Sequence, residues 1–139
     1  MINCPFCQII TGKSSAFVVY ENQNSMAFLD IKPLFSGHVL LVPKEHISIL
    51  SEMPDEKIGP FFQIARTLSI AVENAMKAQG SFIALNNRIS QSIPHLHLHI
   101  VPRSRGDGLR GFFWPRRNYK NEEEMCEIRD RIKKAITDL

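Results

Sequence analysis

The chain has 139 residues, 44% of them hydrophobic and 22% charged, with 17 Lys and Arg against 14 Asp and Glu for a net charge of +3. That length fits one domain with a real core, and the charge is too mild for nucleic-acid binding to be its main business. No apolar run reaches the length of a membrane span, and the N-terminal MINCPFCQIITGK lacks the basic start and apolar stretch of a signal peptide, so the expectation is a cytoplasmic protein with neither membrane nor nucleic-acid partners.

In chain order, Cys4 and Cys7 come first, as C-x-x-C ahead of a Gln-Ile-Ile-Thr-Gly turn at residues 8–12. With Cys126 they make three, an odd number that argues against a disulfide framework; Cys126 itself reads as a small hydrophobe in a helical pattern. AFVVYE (16–21) and SMAFLD (25–30) are short, β-branched or aromatic, and parted by the polar NQN, which predicts a hairpin. HVLLVP (38–43) is a third predicted strand. From Asp55 to Gln79 the period changes. Ile58, Phe61, Phe62, Ala65, Leu68, Val72, Ala75 and Met76 recur at threes and fours, the stripe of an amphipathic helix. Pro60 falls in its first turns, and Gly80 is expected to end it with a left-handed cap. FIALNN (82–87) and HLHLHIVP (95–102) are the fourth and fifth strands. The link between them is about seven residues, too short for a parallel crossover, so they pair antiparallel. Asn121 followed by Glu124 reads as a capping box opening a last helix through Met125, Ile128, Ile132, Ala135 and Ile136. The expected fold class is α+β: a five-stranded antiparallel sheet carrying two main helices, one domain over residues 1–139 with a helical extension from 121 to 139.

Three of the five histidines fall in HLHLHIVPR, at His95, His97 and His99, with Leu96, Leu98 and Ile100 between them. Side chains alternate across a strand, so the apolar set faces the core and the three imidazoles share the other face. Such a row has little packing value. Two chemistries ask for it: a three-histidine metal site with an open position, and nucleophilic catalysis in which one ring attacks while its neighbours steady charge. The C-x-x-C pair likewise admits two readings, a redox motif or half of a zinc site.

The triad, taken with SQSIP (90–94) before it and FLDIKPLFSGHVLLVPKEH (28–46) further upstream, strongly resembles the histidine triad (HIT) superfamily of nucleotide hydrolases and transferases. The resemblance runs from about residue 2 to FFWPR at 112–116. It implies that His97 attacks the α-phosphorus of a purine nucleotide and carries a nucleotidyl-imidazole intermediate, with His99 and His38 beside the phosphate. Gln91, Ser92 and Asn86 match phosphate-binding positions, Asp30 the position that binds the ribose hydroxyls, and Phe6, Ile9, Leu29 and Ile31 the wall around the base. The family's zinc-bearing members imply a structural Zn²⁺ held by Cys4, Cys7, His46 of PKEH, and His95 of the triad. Relatives also imply a homodimer whose sheets join, with the 55–79 helix and FIALNN near the axis. Ser90 stands where close relatives have glycine, and the 87–94 loop is shorter than in the Hint branch; both changes touch the phosphate loop. The basic tract 103–120, with Arg103, Arg105, Arg110, Arg116, Arg117 and Lys120 around Phe112, Phe113 and Trp114, is a loop, a subunit contact or an extended phosphate site. Three function classes compete: a nucleotidyl hydrolase acting through His97, a three-histidine metallohydrolase, and a nucleotide-binding regulatory or scaffold protein with vestigial activity.

Overall fold

The structure, a computed structural model, describes residues 3–109 and 116–139. It divides into two compact units, Met1–Asp107 and Gly108–Leu139. The first unit holds α1 (Pro5–Ile10), β1 (Val18–Glu21), β2 (Ser25–Leu29), β3 (Val39–Pro43), α2 (Asp55–Met76), β4 (Gly80–Leu85) and β5 (Leu98–Arg103). The strands form one five-stranded sheet in the order β1-β2-β3-β5-β4, every neighbouring pair antiparallel. The α+β class and the five-stranded antiparallel sheet expected from the sequence are therefore present.

The central strands are buried on both faces, and their alternation sorts residues into two clusters. Ala27, Val39, Leu41, Leu98 and Ile100 face α2, whose Phe61, Ala65, Leu68 and Val72 supply the complementary stripe. Full burial of each large apolar side chain there contributes roughly 1.5–3 kcal/mol. Met26, Phe28, Leu40 and Val42 face the opposite way and pack with Cys4 and Phe6 of α1. No helix among the described residues is long and apolar enough to cross a membrane.

Local chemistry sets the turns. Asn22 Oδ1 accepts from the Asn24 and Ser25 amides at 2.9 and 2.8 Å, which closes the β1–β2 hairpin. In the second unit, α3 (Glu122–Thr137) opens on Asn121, whose Oδ1 accepts from the Glu124 amide at 2.8 Å. The return bond of the capping box falls one residue early: Glu124 Oε2 accepts from the Lys120 amide at 2.6 Å.

Three expectations need correction. The segment expected as a turn at residues 8–12 is mostly helix, because Pro5 at the first helical position and Cys4 as N-cap start α1. Gly80 does not cap α2; it lies in β4, and Lys77 takes the left-handed conformation at φ 52°. The regular ladder of β5 starts at Leu98, not His95. The residues before it are tied instead to the 46–50 segment, with the Leu96 amide donating to the Ile47 carbonyl at 2.6 Å. Pro60, placed in the first turns of this helix by the sequence, lies inside α2, which starts at Asp55. Of the 103–120 tract, residues 110–115 lie outside the described residues, including Arg110 and the Phe112, Phe113 and Trp114 expected at a contact.

The left-handed Lys77 carries a strain that glycine would not. Lys77→Gly should raise stability by about 0.5–1 kcal/mol, less what the freer unfolded chain takes back. Thermal melts followed by circular dichroism would read this as a higher midpoint.

Candidate functional site

Register builds the site. Phe28 of β2 pairs with Leu40 of β3, Leu40 with His99 of β5, and His99 with Ala84 of β4, so these side chains make one row on one face. α1 lies over that face. The Phe6 ring meets Phe28 at 5.4 Å, His97 at 5.1 Å and His95 at 5.8 Å, centroid to centroid. Beside it opens a cavity of about 450 Å³. Phe6, Ile9, Leu29 and Ile31 line it, as do Asp30, Ser92, His97 and His99.

Hydrogen bonds fix which ring nitrogen carries the proton. His97 Nδ1 lies 2.7 Å from the His95 carbonyl, which only accepts, so Nδ1 is the protonated nitrogen and Nε2 keeps its lone pair. His38 is buried, and its Nδ1 accepts from the Leu34 amide at 3.1 Å. The proton is therefore on His38 Nε2, which donates to His99 Nδ1 at 2.9 Å. That leaves His99 with its own proton on Nε2. Gly37 aims His38: it sits at φ 93°, and a Cβ there would come 2.5 Å from Met76 Cγ. Asp30 stands at the cavity with Oδ1 accepting from the Lys32 amide at 2.9 Å and Oδ2 3.7 Å from His38 Nε2.

His95 turns to a different task. Its Nε2 donates to the Pro43 carbonyl at 2.8 Å, which frees Nδ1. That nitrogen lies 3.4 Å from Cys4 Sγ and 3.6 Å from Cys7 Sγ, and His46 Nδ1 lies 3.3 Å from Cys7 Sγ. The four ligand atoms of Cys4, Cys7, His46 and His95 all lie within 4.8 Å of one another. The edges of a tetrahedron with zinc–sulfur and zinc–nitrogen bonds are roughly 3.5 Å, so the donor set fits zinc in number, type and spacing. The Pro43 carbonyl is the kind of outer partner that fixes a ligating histidine's tautomer. Asp30, His38 and His99 also cluster, but both His38 nitrogens are already engaged, so that group is a hydrogen-bonded relay.

The HIT-domain family model matches residues 11–106. The chain belongs to the HIT family. It is 39% identical over 128 residues to an uncharacterised HIT-like protein of Methanocaldococcus jannaschii, covering 91% of this chain and 98% of that protein. It is 31% identical over 140 residues to an adenosine 5′-monophosphoramidase of Candida albicans, covering 96% of this chain and 91% of that one. Among solved structures, a zinc-bound histidine triad family protein of Mycobacterium smegmatis is similar with a TM-score of 0.74 at 31% identity, with 99% of each chain covered.

Some HIT positions identified in the sequence stand elsewhere than on the cavity wall. Gln91 is expected at phosphate, yet its Nε2 donates to the Ser48 carbonyl at 2.6 Å and its Oε1 accepts from the Arg88 amide at 2.9 Å. Asn86 Nδ2 donates to the Ser90 carbonyl at 3.2 Å. Both amides brace the loop that carries Ser92. The bracing explains Ser90: it adopts the left-handed φ of 59° that glycine would, as Arg88 does at 71°. Each such residue costs about 1–2 kcal/mol, which the loop's own bonds must offset. Arg103 is also engaged, with Nε and Nη2 donating to Asp107 at 2.6 and 3.0 Å. Residues the sequence reading missed include Phe28, Leu40, Ala16, Lys32 and Ile93, which also line the cavity. Phe28 and Leu40 were findable, since they share the parity of the histidine face.

Burial governs the charge of His38, His95 and His99 in this HIT chain. It pushes His99 down to about 4, helped by the charges of His97 and His38 and opposed by Asp30. His38 is lowered too, by burial against the pull of Asp30. Burial also takes His95 down to about 4, against the Pro43 hydrogen bond. Burial and then the neighbouring Cys4 raise the Cys7 thiol, as expected of two thiols that need a cation to ionise together.

A histidine held neutral in the fold and free to protonate when unfolded stabilises the fold fully above its unfolded pKa of about 6.5. For His99 that contribution is lost as pH falls from there toward about 4. Melting points measured by circular dichroism from pH 7.5 to pH 4 should fall across this window with proton uptake on unfolding. His99→Asn should flatten the fall.

Proposed function

We propose that this HIT chain is a nucleotidyl hydrolase or transferase that attacks the α-phosphorus of adenosine or another purine nucleotide through His97. One observation carries the reading: the His97 Nδ1–H is tied to the His95 carbonyl, so the lone pair is on Nε2 of a ring that lines the cavity. In the first step the Nε2 lone pair forms a bond to phosphorus, and the bond to the leaving group breaks. In the second, water attacks the same phosphorus, the bond from phosphorus to Nε2 breaks and returns its electron pair to His97, and the proton that water loses passes to solvent. The His99 Nε2–H and the Ser92 hydroxyl are the donors for charge that builds on the phosphate oxygens or the leaving group. His38 holds His99 in the donating tautomer. Asp30 is the acceptor for the ribose hydroxyls, and Phe6, Ile9, Leu29 and Ile31 take the base.

The name of the Candida albicans relative supports a phosphoramidate, with an amine as leaving group. A dinucleoside polyphosphate and an acyl-adenylate pass through the same first step. The three-histidine metallohydrolase has less support, because the triad rings turn to three tasks: His95 toward the cysteines, His97 to a carbonyl, His99 to His38. Cys4, Cys7, His46 and His95 would hold zinc with a structural role, and a thiol pair kept reduced for a metal suits the cytoplasm. A homodimer would cover β4, an edge strand among the described residues, where Ile83 is exposed.

Turnover of an adenosine phosphoramidate tests the mechanism. His97→Ala should bind AMP with near-normal affinity yet lose several orders of magnitude in turnover, since the covalent step is gone. His99→Ala should cost roughly 10²–10³-fold, the scale of a lost transition-state donor. Near-normal turnover by His97→Ala would overturn the mechanism, and tight AMP binding without turnover by the wild type would favour the scaffold reading.

Elemental analysis of protein purified without chelator should find about one zinc per chain, as a closed four-ligand site requires. Cys4→Ser should lower the melting point far more than it lowers kcat.

A further inference from the structure

The metal-ligand cluster and the nucleotide cavity share their walls. Cys4 and Cys7 flank Phe6, and Pro5, Phe6 and Ile9 of the same six-residue helix line the cavity. A helix that short has little stability of its own, so its position depends on what ties it to the sheet. Cys4 reaches His95, and Cys7 reaches His46 and His95.

The second wall hangs on the other ligand. His46 begins the stretch to which the 86–97 segment is fastened. The Ile47 carbonyl accepts from the Leu96 amide at 2.6 Å, and the Ser48 carbonyl from Gln91 Nε2 at 2.6 Å. The Ser48 hydroxyl donates to the Pro94 carbonyl at 3.1 Å, and the Leu50 amide to Asn87 Oδ1 at 3.0 Å. Ser92 and Ile93, on the segment so fastened, line the cavity. The bond from His95 Nε2 to the Pro43 carbonyl holds His95 independently of a metal, so the carbonyl that orients His97 has its own support.

We propose that occupancy of the Cys4, Cys7, His46 and His95 centre by zinc sets the affinity of the cavity for nucleotide, by fixing α1 on one side and the Ser92 loop on the other. This rests on the nucleotide reading above. The coupling acts on binding and spares the chemical step. It is reciprocal, because the factor by which zinc tightens nucleotide binding equals the factor by which nucleotide tightens zinc binding.

Two measurements on the full chain test it. In the first, zinc affinity is read by competition with a chromogenic chelator, with and without saturating AMP. AMP should tighten zinc by about tenfold, within the usual range of coupling between sites. Identical zinc affinities overturn the proposal. In the second, the chain is loaded with Co²⁺ and titrated with AMP while the visible absorption of the tetrahedral cobalt thiolate is followed. The band should change saturably with AMP. An unchanged band while calorimetry records AMP binding overturns the proposal, and this arm needs no metal-free protein, so unfolding on metal removal does not blur it. Calorimetry on the zinc-loaded chain separates the two readings: no AMP binding there removes the nucleotide reading and the coupling together, whereas binding without coupling removes the coupling alone.

Discussion

Burying imidazoles is the constraint on which the rest depends. A ring nitrogen removed from water needs a partner inside the protein, and a neutral ring has one donor and one acceptor to place. No buried side-chain nitrogen or oxygen among the described residues lacks a hydrogen-bond partner. Satisfying that demand for His38, His95 and His97 decides their tautomers and that of His99. The Leu34 amide sets His38, which sets His99; the Pro43 carbonyl sets His95; the His95 carbonyl sets His97. Three neighbouring rings of identical chemistry thus acquire different free atoms: a lone pair toward two thiols, a lone pair at the cavity, and a donor. The partners are mostly main-chain groups, so the sheet's own register assigns the roles.

Much of this was legible in HLHLHIVPR and its upstream partners. Period-2 alternation put Leu96, Leu98 and Ile100 into the α2 core and kept the histidines off it, even though the regular ladder begins only at Leu98. The 3.6 periodicity located α2, and Asn121 located the start of α3. Less legible was whatever depended on a short segment finding a distant one. α1 is six residues long and carries no helical stripe, so it read as a turn; it is a helix because Cys4 caps it and Phe6 docks on Phe28 and His97. The bond from Gln91 Nε2 to the Ser48 carbonyl was hidden too, because the chain position of Gln91 says nothing of a partner 43 residues away. Lys77 as the left-handed cap was hidden for a related reason. Glycine is the cheaper choice, and α2 ends at Met76, four residues before Gly80.

The candidate metal cluster and the His97 ring sit close together, which raises an electrostatic problem for the proposed mechanism. His95 lies two residues from His97, and its ring shares the Phe6 edge with it. A bare divalent cation at that distance would draw on the lone pair of His97 Nε2 and weaken it as a nucleophile. A centre built from two thiolates and two neutral imidazoles carries no net charge once it holds a dication. The sulfurs cancel the metal's charge over a few ångströms, so little of its field reaches the neighbouring ring. Histidines in all four positions would leave that charge uncompensated, and four cysteines would leave two negative charges facing an anionic phosphate. The Cys2His2 composition is the one of these that would let a metal fix α1 and the 46–50 segment beside the cavity without opposing either the nucleophile proposed in His97 or an anionic substrate.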